Sequence, residues 1–221
     1  MANIFGRIYD NSQSNSWASS LRKKRLALFK SFIGSVQSPL KILDVGGYAD
    51  FWNNSGFLNE DIELTLINID TSNSPIASSK IKCVVGDARN MKMFSNKEFD
   101  IVYSNSVIEH IGSYNDQRQL ADEVMRVGKR YFIQTPNLYF LIEPHFVFPL
   151  FQFLPIELKV WLITHFSMGW YGKISDIKQA RETVSSIRLL NKKDLLNLFP
   201  ESKIWEEKIL FLTKSFIVFS N

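Results

Sequence analysis

The chain has 221 residues, of which 45% are hydrophobic and 22% charged, and these proportions exclude an intrinsically disordered chain. We expect a single domain over residues 1–221, because two full domains would be crowded at this length. The 26 basic and 22 acidic residues leave a small positive charge, which does not indicate a nucleic-acid partner, and the single cysteine, Cys83, excludes an internal disulfide.

The amino-terminal part contains neither an apolar run behind a basic stretch nor a small-residue cleavage site, so we expect no secretory signal and a cytoplasmic protein. Apolar residues between Trp17 and Ile33 recur roughly at helical spacing and predict an amino-terminal helix. The basic run Arg22–Arg25 is interpreted as the solvated face of this helix, with contact to anionic lipid headgroups or phosphorylated substrates as the alternatives.

From Pro39 onward, short apolar runs alternate with stretches of helical periodicity, which is the pattern of β-α-β units. Several runs are too continuously apolar for a sheet with one wet face, and they predict parallel strands covered by helices on both sides. Asn115–Val127 predicts a crossover helix with Gly128 as its C-cap. The predicted strands are Lys41–Val45, Ile62–Asp70, Ile81–Gly86, Phe99–Asn105 and Arg130–Thr135.

The segment 138–185 is rich in aromatic residues and is interpreted as an insertion in the domain. Prolines interrupt its longest charge-free run, so a membrane-spanning helix is not expected, and a helix is predicted near Ile156–Phe166. We expect the insertion to act as a lid over a bound acceptor, and a second small core is the alternative. After it, Asn191 predicts the N-cap of a helix over Lys192–Leu198. An antiparallel hairpin is predicted from Lys203–Phe211 and Thr213–Phe219.

The first strand ends in the sequence ILDVGGYADFW, where Gly46 and Gly47 allow a ligand to approach the backbone. A dinucleotide site would need glycine in place of Tyr48, and Asp50 would put a carboxylate where a pyrophosphate has to bind. A nicotinamide-dependent dehydrogenase is therefore a disfavoured alternative. A ligand with a cationic centre and no phosphate suits Asp44 and Asp50 better.

Two further acids follow the next strands, Asp70 at the end of the second and Asp87 after the third. An acid after the second strand of such a sheet is placed to accept hydrogen bonds from ribose hydroxyls, and one after the third is placed to reach an adenine amine. With Asp44 and Asp50 they put four acids at one sheet edge, which predicts an adenosine group without phosphates. Taken singly, each aspartate is also typical of a turn or a helix cap.

These residues occur in the segments ILDVGGYADFW, LINID, VVGDARN and FDIVYSNSVIEHI, which together span Ile42–Ile111. They resemble class I S-adenosylmethionine-dependent methyltransferases, specifically the small-molecule enzymes related to the ubiquinone and biotin pathway methyltransferases. The ending LLNKKDLLNLFP and the final hairpin are similar as well. The resemblance implies a doubly wound, Rossmann-like α/β fold with a seven-stranded, mostly parallel sheet and an antiparallel carboxyl-terminal hairpin.

The resemblance also implies S-adenosylmethionine as the cofactor. The glycine turn would contact its methionine part, Asp70 its ribose and Asp87 its adenine. Tyr48 and Asp50 stand where family members commonly have glycine, so a catalytically weak, methyltransferase-like interaction module is an alternative. The cofactor-binding residues expected on this basis are Asp44, Gly46, Gly47, Asp70, Asp87, Ala88 and Asn105.

Two histidines are candidate general bases, because both follow predicted strand ends beside the expected cofactor site. His110 comes shortly after the fourth strand, and His145 follows the fifth in the pattern EPH. The alternatives are a packed histidine for His110 and a surface residue for His145. His165 lies in an apolar helical pattern and is interpreted as a structural histidine. No metal site is expected.

Methyl transfer from a sulfonium is an in-line displacement, so positioning supplies most of the catalysis. A hydroxyl acceptor also needs a base, whereas a carboxylate acceptor needs none. We expect methylation of a small molecule, with O-methylation of a saccharide or a lipid-linked precursor as the leading hypothesis. The apolar residues of the insertion leave a peripheral membrane contact open, and the sequence does not predict an oligomeric state.

Overall fold

The computed structural model describes residues 17–34, 39–57, 61–70 and 80–220. Its helices are α1 (Trp17–Ile33), α2 (Ala49–Ser55), α3 (Tyr114–Val127), α4 (Ile156–His165), α5 (Ile177–Ser185) and α6 (Lys192–Leu198). Its strands are β1 (Leu40–Val45), β2 (Ile62–Asn68), β3 (Ile81–Val85), β4 (Phe99–Asn105), β5 (Gly128–Pro136), β6 (Ile142–Glu143), β7 (Phe148–Pro149), β8 (Lys203–Ile209) and β9 (Leu212–Phe219). Short 3-10 helices cover Ile108–His110 and Phe151–Phe153.

Seven of these strands form one sheet in the order β3-β2-β1-β4-β5-β9-β8. Strands β1 to β5 pair in parallel, β9 pairs antiparallel to β5, and β8 pairs antiparallel to β9. This topology confirms the predicted Rossmann-like fold with its antiparallel hairpin. Because the strand order reverses between β1 and β4, a crevice forms there at the carboxyl ends of the strands.

The two faces of the sheet bury separate hydrophobic clusters, which explains the continuously apolar strands. Ile42 and Leu43 are neighbours on β1, and both are fully buried. Leu43 belongs to a cluster that includes Leu120 of α3, whereas Ile42 belongs to one that includes Phe29 of α1 and Trp52 of α2. The sheet is therefore covered on both sides, as the sequence predicts.

Helix α3 begins at a capping box, in which Ser113 and Asp116 each bond the other's backbone N–H. Gly128 ends the helix as predicted, but its backbone is extended rather than left-handed, because β5 begins at this residue. The glycine is required by packing instead. A Cβ atom there would lie 2.6 Å from a methyl group of Val102 on β4.

Segment 138–185 contains the small β6–β7 ribbon and helices α4 and α5. The predicted helix near Ile156–Phe166 is confirmed as α4, whereas α5 has no counterpart in the sequence prediction. None of the helices in the described ranges is both long and apolar enough to cross a bilayer. The segment buries a hydrophobic cluster of its own, formed by Phe146, Phe151, Val160, Ile163, Met168, Ala180 and Val184.

Candidate active site

A cavity of about 640 Å³ lies at the carboxyl ends of β1 to β4. We call it the rim cavity. The fold brings all the predicted cofactor residues to its wall, because each of them lies at or just after the carboxyl end of a strand at this edge of the sheet. The predicted site residues on its wall are Asp44, Gly46, Gly47, Asp70, Asp87, Ala88, Asn105 and His110.

Asp44 does not offer the open carboxylate that a cationic ligand would need, and this corrects the role expected from the sequence. The residue is buried, and its Oδ2 accepts a 2.6 Å hydrogen bond from the indole N–H of Trp52. Burial raises the pKa of Asp44 to about 7, although the bond from Trp52 opposes this rise. Its Oδ1 is buried without a partner in the described part of the chain. Through its hydrogen bond with Trp52, Asp44 thus links the end of β1 to helix α2.

The two glycines after β1 are required for different reasons. Gly46 has φ +74°, a left-handed conformation that strains other residues, and a Cβ atom there would lie 2.5 Å from Val107 Cγ2. A Cβ atom on Gly47 would lie 1.7 Å from Asp44 Oδ2. The carbonyl of Gly47 accepts a 2.9 Å hydrogen bond from the side-chain amide of Asn68. The turn is therefore fixed by close contacts to β1, β2 and the segment after β4.

The acid after β3 is held by an arginine. The Asp87 carboxylate accepts hydrogen bonds from the Arg89 backbone N–H at 2.9 Å and from its Nη2 at 2.7 Å. These bonds, led by the side-chain bond from Arg89, hold the pKa of Asp87 below its usual value, so the group is ionised near neutral pH. Arg89 also contacts Asp116 at 3.0 Å.

Asp50 does not join the other three acids, so the expectation of four acids around one ligand is wrong. It lies in the first turn of α2 and lines a neighbouring cavity of about 410 Å³ together with Arg22 and Arg25. Because α2 begins directly at Ala49, the helix carries Asp50 away from the rim cavity.

The side chains of the two candidate bases are in direct contact. His110 Nε2 and His145 Nε2 are 3.1 Å apart, with ring planes at 89°. On the other side of its ring, His145 Nδ1 lies 2.6 Å from Oε1 of Glu143. The Glu143 carboxylate is buried, and its Oε2 accepts the backbone N–H groups of His145 and Phe146, both at 2.8 Å. Glu143 therefore fixes the orientation of His145 and, through it, a contact with His110.

The two imidazoles differ in basicity. Burial lowers the pKa of His110 to about 4, and the neighbouring His145 adds to this effect. Burial also lowers the pKa of His145, but the hydrogen bond and the charge of Glu143 outweigh it, so the net shift is upward. Of the pair, His145 is the imidazole that holds a proton more strongly.

Beside the pair lies a second buried acid, Glu109. Its Oε2 accepts a 2.9 Å hydrogen bond from Thr135 Oγ1, its Oε1 has no partner among the described residues, and burial raises its pKa to about 7. Glu109, His110 and His145 each offer one ligand atom, and these atoms lie within 4.8 Å of one another. The group has donors that suit a divalent cation as well as a proton relay.

His145 lies on a second cavity of about 370 Å³, which adjoins the rim cavity and shares His110, Asn105 and Ser106 with it. We call it the histidine cavity. Trp170 from segment 138–185 also lines it and holds the chain around His145. The Trp170 backbone N–H donates to the carbonyl of His145 at 3.1 Å, and its indole N–H donates to the carbonyl of Pro144 at 3.0 Å. The histidine pair thus stands at the boundary between two adjoining cavities.

Comparison with known proteins finds similarity to methyltransferases. Residues 46–131 match the family model described as a methyltransferase domain. The matched residues begin at the glycine turn after β1 and end within β5. Over 57 residues the chain is 39% identical to an uncharacterized protein of Mycobacterium tuberculosis, a match that spans 26% of this chain and 20% of that protein. The chain therefore aligns with about a fifth of the length of this curated relative.

Solved structures show the same fold at low sequence identity. Phosphoethanolamine N-methyltransferase 2 of Haemonchus contortus, in complex with S-adenosyl-L-methionine, is 15% identical with a TM-score of 0.55, over 91% of this chain and 42% of that one. A protein of Pyrococcus horikoshii is 19% identical with a TM-score of 0.54, over 99% of this chain and 96% of that one. The 1,6-didemethyltoxoflavin-N1-methyltransferase of Burkholderia thailandensis is 10% identical with a TM-score of 0.54, over 90% and 76%.

The structure adds several site residues for which the sequence interpretation gave no role, namely Asn68, Glu143 and Trp170. Only Glu143 carries a local signal, since it stands two residues before His145 in the EPH pattern. His165, interpreted from the sequence as a structural histidine, has its hydrogen-bond partners within its own helix. It is exposed at the end of α4, where it stacks on Trp161 and lies 2.8 Å from that residue's carbonyl oxygen.

Proposed function

We propose that this chain is an S-adenosylmethionine-dependent methyltransferase that transfers a methyl group to a hydroxyl of a small molecule. The observation that carries the proposal is the shared boundary of two cavities. The rim cavity collects the predicted cofactor residues, and the histidine pair stands where it meets the histidine cavity. When bound, the cofactor supplies an electrophilic methyl group on a sulfonium.

The rim cavity fits this cofactor in size and in chemistry. A volume of about 640 Å³ lies in the usual range for a small-molecule site. Gly46 and Gly47 leave the backbone open where a side chain would collide with Val107 or Asp44. We assign Asp70 to the ribose hydroxyls and the ionised Asp87, next to Ala88, to the adenine edge. No lysine or arginine of the described ranges lines the cavity, which supports a ligand without phosphates.

The histidine pair supplies the base in this proposal. A hydroxyl entering from the histidine cavity replaces His110 as the partner of His145 Nε2 and gives its proton to that nitrogen. Glu143 holds the opposite nitrogen of His145 and stabilises the imidazolium that forms. The Nε2 atoms of His110 and His145 lie 3.1 Å apart, at hydrogen-bond distance, so each nitrogen has a hydrogen-bond partner without a bound ion.

For the acceptor we propose a saccharide or a lipid-linked precursor, with segment 138–185 as its lid. This choice is supported by the aromatic wall of the histidine cavity, which includes Phe140 and Trp170. A sugar ring stacks readily on such side chains while presenting several hydroxyls. The exposed side chains of Phe153, Trp161 and Phe166 on the same segment support contact with a membrane surface that carries the precursor.

Calorimetry with S-adenosylhomocysteine tests the cofactor assignment. We expect saturable binding that Asp70→Ala weakens at least tenfold without changing the unfolding temperature. No heat at millimolar ligand would support the interaction module instead. Binding that Asp70→Ala leaves unchanged would remove the ribose assignment.

Labelled S-adenosylmethionine added to cell extracts identifies the methylated product, and the same assay tests the base. We expect His145→Gln to lower turnover about 100-fold, as removal of a general base does, with unchanged S-adenosylhomocysteine affinity. The matched control is His165→Gln, since His165 is exposed on α4 and away from both cavities. Wild-type turnover in His145→Gln would contradict the mechanism. Loss of turnover after chelation, restored by Mg²⁺ or Mn²⁺, would replace the base with a cation held by Glu109, His110 and His145.

A further inference from the structure

The basic run near the amino terminus is divided between two faces of α1. Arg22 and Arg25 stand three residues apart, one helical turn, and both line the histidine cavity. Lys23 and Lys24 lie between them and are exposed. The solvated-face interpretation therefore applies to the lysines alone, and the two arginines belong to the site.

The charged residues that line the histidine cavity are all basic. Its basic lining residues are Arg22, Arg25 and Lys214, and no aspartate or glutamate of the described chain is part of its lining. The charge of Arg25 is compensated by a residue outside the cavity lining, because its Nη2 contacts both carboxylate oxygens of the buried Glu207 at 3.1 and 3.0 Å. Ser215 fixes the same carboxylate through a 2.7 Å hydrogen bond. Arg25 is thus a fixed part of the wall.

Arg22 has no such counter-charge among the described residues. It is half-buried, and within the described ranges its guanidinium forms neither an ion pair nor a hydrogen bond with another residue. Asp50 lines the neighbouring cavity with Arg22 and Arg25 but forms no ion pair with either in the described structure. Lys214, from β9, is a second basic residue on the same cavity; burial lowers its pKa, and the charge of Glu207 opposes this shift. A half-buried cation without a partner favours an anionic ligand, particularly when the cation is a guanidinium, which binds phosphate and carboxylate groups in a forked geometry.

We infer that the acceptor carries an anionic group, a phosphate or a carboxylate, that Arg22 and Lys214 bind while a hydroxyl of the same molecule meets His110 and His145. This inference rests on the proposed function and narrows its acceptor class. An acidic sugar and a phosphorylated or diphosphate-linked sugar share this chemistry. The aromatic Phe140 and Trp170 lie on the same cavity and pack against the uncharged part of such a molecule.

Calorimetric titrations with inorganic pyrophosphate and with glucuronate, at constant ionic strength, test the inference on the full chain. We expect one of the two anions to bind, and Arg22→Gln to weaken that binding at least tenfold. Lys23→Gln is the matched control, because it removes the same charge from the exposed face of the same helix, and it should change the affinity less than twofold. Lys214→Gln should weaken binding as Arg22→Gln does. Response to pyrophosphate alone assigns a phosphoryl group, and response to glucuronate alone assigns a carboxylate.

The inference is overturned if neither anion binds at millimolar concentration, or if Lys23→Gln weakens binding as much as Arg22→Gln. S-adenosylhomocysteine titrations of the same variants separate it from the proposed function. Retained S-adenosylhomocysteine binding without anion binding would remove the anionic acceptor alone. Anion binding that depends on Arg22, without S-adenosylhomocysteine binding, would remove the methyltransferase proposal and leave the anion site.

Discussion

The rim cavity and the histidine cavity share a boundary but are built in different ways. The rim cavity is formed by short turns directly after β1, β2 and β3, where Gly46, Gly47 and Asp87 follow their strands within two residues. The histidine cavity is assembled from parts of the chain as distant as Arg22 on α1 and Lys214 on β9. Backbone shape therefore determines the first cavity and side-chain contacts between distant segments determine the second, so the two should respond to different substitutions.

The largest loss of affinity should come from adding a methyl group at Gly47, in the turn after β1. In Gly47→Ala the new Cβ would lie 1.7 Å from Asp44 Oδ2, so Asp44 must move and its bond with Trp52 is lost. We expect S-adenosylhomocysteine affinity to fall roughly 100-fold, about 2.7 kcal/mol, as measured by calorimetry. Gly172→Ala is the control, because no heavy atom lies within 4 Å of its Cβ position. Equal affinity in the two variants would mean that the backbone of the turn does not shape the site.

The corresponding test of the histidine cavity changes a side chain and leaves the backbone alone. Glu143→Gln keeps an oxygen for the backbone N–H groups but removes the charge that faces His145 Nδ1. We expect turnover to fall roughly 30-fold, within the usual range for general-base catalysis, while S-adenosylhomocysteine affinity stays within twofold. Glu157→Gln, on the exposed start of α4, is the control. A parallel loss of affinity would show that the two cavities are not separable.

The same contrast explains which parts of the molecule were predictable. The strands, the hairpin and the rim residues follow from local patterns, since a residue that ends a parallel strand must lie at one edge of the sheet. Asp50 was misplaced because the start of α2 one residue earlier turns its side chain to another cavity. The histidine pair joins residues 35 positions apart, and the contact between Arg25 and Glu207 joins residues 182 apart. No local pattern contains such contacts. The role of Glu143, and the fact that the arginines and lysines of the basic run lie on different faces of α1, could therefore be identified only from the three-dimensional structure.

The buried Asp44 allows a pH measurement on the rim side. Its pKa is raised from 3.8 to about 7 in the folded chain, so between these values the folded protein binds more protons than the unfolded one. The contribution of this group to stability is therefore present below about pH 4 and is lost as the pH rises toward 7. We expect the free energy of unfolding of the wild type to fall faster with pH than that of Asp44→Asn, by up to about 1.4 kcal/mol per pH unit. Urea denaturation between pH 4.5 and 7.5 measures both slopes.

Glu109 has a similarly raised pKa and is present in both proteins, so it cancels in the comparison of Asp44→Asn with the wild type. Asp50→Asn serves as the control for a change of net charge, because Asp50 lies in the exposed first turn of α2. Parallel pH profiles for all three proteins would show that Asp44 is already ionised in the folded chain.

The smallest effect is expected from Arg89, whose removal tests whether the rim needs side-chain support in addition to its turns. Arg89→Gln removes the guanidinium that contacts both Asp87 and Asp116 on an exposed surface. Exposed ion pairs stabilise little, so the unfolding temperature should barely change. Asp87 loses the partner that orients it, and we expect S-adenosylhomocysteine to bind three- to fivefold more weakly, roughly 0.7–1 kcal/mol by calorimetry. Arg118→Gln on α3 controls for the lost charge. A loss as large as that of Gly47→Ala would mean that side chains, and not the backbone turns alone, determine this cavity too.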